Sequence, residues 1–97
     1  MKNNGSTASR FIVLVNIENK PYISDPEGDT ILRDLVLKDG YSVVESIRSA
    51  KALKMKVRAR NPKHAEKIVR RICEELRIFN PILSNCTVKV IGTTLKE

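Results

Sequence analysis

The chain has 97 residues, of which 18 are Lys or Arg and 11 are Asp or Glu, giving a formal charge of +7. That length holds one domain whose folding buries roughly 60–70% of the surface an unfolded chain exposes, a modest core that association with another subunit would help. Two cysteines are too few for a disulfide scaffold, and no run approaches the roughly 18 apolar residues of a membrane helix, so a reduced, cytoplasmic protein without a membrane partner is expected.

Residues 1–9 are small and polar without periodicity and are expected to form a disordered segment before a single domain at 10–92, with a polar tail at 93–97. The run Phe11-Ile-Val-Leu-Val-Asn-Ile17 is rich in β-branched residues and predicts a first strand. Phe11, Val13, Val15 and Ile17 share one face, Ile12 and Leu14 the other, so both faces are expected to be buried. A loop through Lys20-Pro21-Tyr22-Ile23 leads to Asp25-Pro26, a cap residue followed by a proline whose missing N–H is not needed in the first helical turn. Ile31, Leu32, Leu35 and Val36 recur at helical spacing up to Gly40, which suits a left-handed C-terminal cap.

A second strand is expected over Val43–Arg48 and a third over Ala52–Arg60. In the third, Leu53, Met55, Val57 and Ala59 alternate with Lys54, Lys56, Arg58 and Arg60. Asn61-Pro62 repeats the cap-and-proline start, and Ala65, Ile68, Val69, Ile72 and Leu76 form the apolar stripe of a helix running to about Ile78. Asn80-Pro81 breaks it, and Thr87–Ile91 predicts the last strand. The order βαββαβ reads as an α+β, ferredoxin-like fold: a four-stranded antiparallel sheet with two helices on one face. Its other face needs a cover, and oligomerisation is the simplest one. Ile12, Leu14, Lys54, Lys56 and Arg58 are therefore the candidate oligomer or partner interface.

Nothing in the chain composes a catalytic or metal-binding constellation. His64 stands alone on the first turn of the second helix, and Cys73 and Cys86 read as packing residues without metal spacing. Gly28 by itself is too little for a phosphate loop and is explained equally well by helix-start geometry. The Lys54–Arg60 stripe suits phosphates, yet neither it nor the last strand carries the stacking aromatics of RNA-binding sheets, so nucleic acid is disfavoured.

Several of these points, taken in order and spacing, resemble the PurS family, the small subunit of phosphoribosylformylglycinamidine synthase (formylglycinamide ribonucleotide amidotransferase). They are Lys20-Pro21 followed by Asp25-Pro26-Glu27-Gly28, then Gly40-Tyr41, Ile47-Arg48-Ser49-Ala50-Lys51, Ala65-Glu66, Cys73-Glu74-Glu75-Leu76 and Asn80-Pro81-Ile82-Leu83. Ala50 stands where the family usually has glycine, Ala52 where tyrosine is common, and the basic third strand where relatives are often acidic. The resemblance implies a subunit without catalytic residues of its own and without a bound cofactor. It would associate with itself as a dimer or tetramer and bridge the PurL synthetase and PurQ glutaminase. The complex would use ATP, magnesium and glutamine to make formylglycinamidine ribonucleotide in purine biosynthesis, with this chain assisting ammonia transfer. The competing readings are an RNA-binding module built on Lys54–Arg60 and a small-molecule regulatory domain.

Overall fold

The computed structural model describes residues 9–94. The expected N-terminal segment and tail therefore lie largely outside the described residues. Ser9, Thr93 and Thr94, assigned to those ends, belong to strands.

Strand β1 (Ser9–Asn19) is central in a three-stranded antiparallel sheet of order β2-β1-β3, flanked by β2 (Lys51–Ala59) and β3 (Ser84–Thr94). Its register with β2 runs unbroken from Ser9↔Ala59 to Ile17↔Lys51. Against β3 it shifts between Ile12 and Val13, and Ile91 is the extra residue of the bulge. The odd residues Phe11, Val13 and Val15 are buried under helix α2 (Pro62–Glu75), which contributes Ala65, Val69 and Cys73 to the same core. Four-residue spacing places these three α2 residues on one stripe. Leu76, expected to continue it, is 67% exposed, because Arg77 adopts a positive φ of 55° and the Ile78 amide turns back onto the Cys73 carbonyl at 3.0 Å. The helix thus ends before Asn80-Pro81, earlier than periodicity suggested.

The first helical segment begins as α1 (Pro26–Thr30) and widens into a π-helical stretch at Ile31–Leu37. Its end matches expectation. Gly40 has a φ of +95°, and the amides of Gly40 and Tyr41 reach Leu37 and Val36 carbonyls at 3.0 and 3.1 Å, the paired bonds of a left-handed cap.

Two expectations fail. Val43–Arg48 is not a strand, so among the described residues the sheet has three strands instead of four, and β2 keeps an open edge where a ferredoxin-like fold would place the fourth. The two helices also do not share the sheet. α2 packs on all three strands, while the arm formed by α1 and the π stretch makes no comparable contact with them. The radius of gyration, 17.8 Å, exceeds the roughly 12–13 Å of a compact domain of this size. Leu53, Met55 and Val57 face the core side as predicted but stay half-buried, and Leu35 on the arm is 64% exposed.

The buried stripe is testable by truncation. Val69→Ala is expected to cost about 2 kcal/mol and lower Tm by about 10 °C, whereas Leu76→Ala should stay within about 0.5 kcal/mol, by thermal and denaturant melts. Equal losses would put the helix in the wrong rotation.

Candidate functional site: an uncovered basic sheet face

Asp25 caps α1 as the sequence implied, through the Gly28 amide at 3.2 Å, but it does more. Its carboxylate also accepts the Ser49 amide and, at 2.9 and 3.0 Å, the Ser49 hydroxyl. Arg48 donates to the Asn19 and Lys20 carbonyls at 3.4 and 3.1 Å. Residues 47–49 are thereby tied to the start of α1 and the end of β1, and the run at 43–48 pairs with no strand. Gly28 is required by this junction: a Cβ there would meet the Ile47 carbonyl, 2.9 Å from its carbon. The Ser49 amide lowers the Asp25 pKa most, followed by the Gly28 amide and the Ser49 hydroxyl.

Among the described residues, no helix lies over the opposite sheet face. Ile12 and Leu14 form a half-buried strip along β1. Pairing sets Lys56 beside Ile12, Lys54 beside Leu14 and Arg58 beside Arg10, all three β2 cations being exposed. The structure thus brings all five candidate interface residues onto one surface, with Ile12 and Leu14 half-buried in the single chain. Two further cations belong to it. Arg10 was legible in the alternation of β1, and Lys89 pairs with Leu14 from the other side. Lys89 was readable in the alternation Thr87-Val88-Lys89-Val90 once that run was assigned to a strand.

The remaining candidates have structural work. His64 accepts the Arg60 amide at Nδ1, 3.1 Å, closing the N-terminus of α2 alongside Asn61, whose side chain takes the His64 amide at 2.8 Å. Cys73 is 1% exposed in the core, and Cys86 packs against that core from β3. Burial pushes the Cys73 thiol pKa up, and the neighbouring Cys86 thiol acts in the same direction. Glu66 accepts the Val90 amide at 3.1 Å beside the β3 bulge. Asn80 takes the Ile82 amide at 2.9 Å on its side chain and the Ser84 amide at 2.8 Å on its carbonyl. Among the described residues, no three His, Cys, Asp or Glu side chains cluster as metal ligands, and no helix is long and apolar enough to cross a membrane.

Comparison with known proteins decides the family. The family model described as PurS, phosphoribosylformylglycinamidine (FGAM) synthase, matches residues 12–92. The chain belongs to the PurS family. Phosphoribosylformylglycinamidine synthase subunit PurS of Thermotoga maritima is 32% identical over 79 residues, covering 81% of this chain and 94% of that protein. The corresponding subunit of Archaeoglobus fulgidus is 31% identical over 78 residues, covering 80% and 95%. Among solved structures, a PurS subunit from Thermotoga maritima superposes with a TM-score of 0.76 at 30% identity, covering 87% of this chain and 94% of that one. A chain of the PurLQS structure from the same organism gives 0.73 at 30% identity, covering 84% and 98%. The PurS motifs seen in the sequence are therefore joints of the fold: Asp25 and Gly28 hold residues 47–49, Glu66 holds β3, and Asn80 turns the chain into β3.

Two expectations follow. Because its folded-state pKa lies below the unfolded value of about 3.9, Asp25 stabilises the fold fully above that pH and loses the contribution as pH falls through the folded value. Asp25→Asn should lower Tm at neutral pH and flatten the acid-side fall in Tm below about pH 4; an equally steep fall in the variant would contradict the clamp. Under native conditions an alkylating reagent should label Cys86 before Cys73, read by mass spectrometry of digests, and equal rates would contradict the burial of Cys73.

Proposed function

We propose that this chain is the non-catalytic PurS subunit of a phosphoribosylformylglycinamidine synthase acting in purine biosynthesis. The family match over residues 12–92 carries this reading. It is supported by the likeness to a chain of a PurLQS structure and by an architecture that leaves an apolar arm and one whole sheet face for other subunits. In this reading the chain self-associates as a dimer or tetramer in the cytoplasm. It bridges a PurL-type synthetase and a PurQ-type glutaminase and assists passage of ammonia between them. ATP and magnesium belong to the synthetase partner, and the side chains described above provide scaffolding, not bond-making groups.

Reconstitution tests it. With purified synthetase and glutaminase subunits, omission of this chain should lower glutamine-dependent formation of formylglycinamidine ribonucleotide at least about tenfold, a loss equivalent to about 1.4 kcal/mol. Synthesis from added ammonia should persist. Glutamine-dependent activity unchanged by the omission would overturn the proposal.

A further inference from the structure

We infer that the helix-free sheet face is the docking surface for an acidic patch on a partner protein, and not the contact between two copies of this chain. The inference rests on the functional reading above and says which surface such a partner meets.

The argument begins with charge. Arg10, Lys54, Lys56, Arg58 and Lys89 all project from this face, brought together from three strands by the register of β1 with its two neighbours. None of residues 10–16, 52–58 or 87–93 is acidic. Among the described residues of β1, Glu18 stands at the far end of the strand, where the Asn16 side-chain amide donates to it at 3.5 Å. The cations frame a narrow apolar strip. Ile12 lies against Gly92, at 3.8 Å from where a Cβ there would stand, and Leu14 lies between Lys54 and Lys89.

Charge and symmetry then choose the occupant. A second copy seated here through a two-fold axis would set this cluster of cations against the same cluster. Like charges so placed are repulsive, and the apolar strip is too narrow to compensate. An acidic protein surface gains attraction from the exposed Lys54, Arg58 and Lys89, and its encounter is steered electrostatically. RNA would also meet the charge. However, Phe11 is buried on the opposite face, Phe79 packs against the core, and Tyr22 and Tyr41 lie on connecting segments outside the sheet, so no aromatic is positioned to stack a base here.

The test uses the full chain together with PurL-type and PurQ-type subunits. Assembly is measured by fluorescence anisotropy at about 50 and 300 mM KCl for the wild type, for Lys54→Glu/Arg58→Glu, and for a control with the same charge change on exposed residues of α2, Lys63→Glu/Lys67→Glu. The wild type is expected to bind at least about tenfold more weakly at the higher salt. The sheet variant should lose at least about tenfold at low salt with an unchanged Tm, while the control stays within about threefold. Equal assembly of all three proteins overturns the docking surface and leaves the functional reading intact. Failure of the wild type to assemble at any salt sinks the functional reading instead. A parallel titration then decides the surface alone: poly-glutamate retention lost in the sheet variant but kept in the control supports it, and retention equal in both overturns it. Binding of a single-stranded 20-mer RNA that the sheet variant alone abolishes, with subunit assembly unaffected, would assign the face to nucleic acid and overturn it.

Discussion

The carboxylate of Asp25 binds the Gly28 amide in its own helix turn and both the amide and hydroxyl of Ser49, 24 residues further on. This single buried group sets the path of everything between the first helical segment and β2. A carboxylate that accepts several N–H and O–H bonds is held ionised, and leaving any one of them unmade in a buried site is costly. The junction therefore has one geometry, into which Gly28 must fit without a side chain because the Ile47 carbonyl occupies the space. Residues 47–49 are fixed there, and the run from Val43 does not pair with β2. The sheet stops at three strands, and the apolar arm ahead of it is left without a cover of its own.

How much of this was legible depended on whether the deciding interaction was local. β1, β2 and α2 were readable because alternation and four-residue spacing directly report which side chains meet the core: Val13 and Val15, Ala59, then Ala65 and Val69 are all buried. Gly40 was readable as a cap because only its own turn sets its positive φ. Val43–Arg48 has the composition of a strand, and nothing inside that run reveals that Ser49 and Arg48 are bound elsewhere. The π-helical widening at Ile31–Leu37 was equally invisible, since its residues satisfy helical spacing either way. The end of α2 was misplaced because a positive φ at Arg77 is not a preference that arginine advertises.

The candidate surface was legible in its chemistry before its extent. Alternation in β2 was enough to place Lys54, Lys56 and Arg58 on one face and Leu53, Met55 and Val57 on the other. Alternation likewise puts Arg10 on the outward face of β1 and Lys89 on one face of β3, but that these faces form one surface follows only from the central position of β1. The same order explains why Ile12 and Leu14 are half-buried and not enclosed. They are flanked in the pairing register by Lys56, Lys54 and Lys89, and among the described residues no helix lies over them.

This division separates what makes the chain a member of its family from what gives it partners. The family-like residues Asp25, Gly28, Glu66 and Asn80 all bond to, or make room for, the chain's own backbone: Asp25, Gly28 and Asn80 where an element begins, Glu66 beside the bulge of β3. Substituting them changes the fold before it changes a surface. The outward positions of β2 and β3 carry no such constraint, because a strand face without a covering layer accepts many side chains at little cost to stability. Charge on that face can therefore follow the charge of whatever docks there, while the joints beneath it stay fixed. A subunit whose work is to hold other proteins needs that independence: a rigid sheet whose inner face is set by packing, and an outer face free to match a partner.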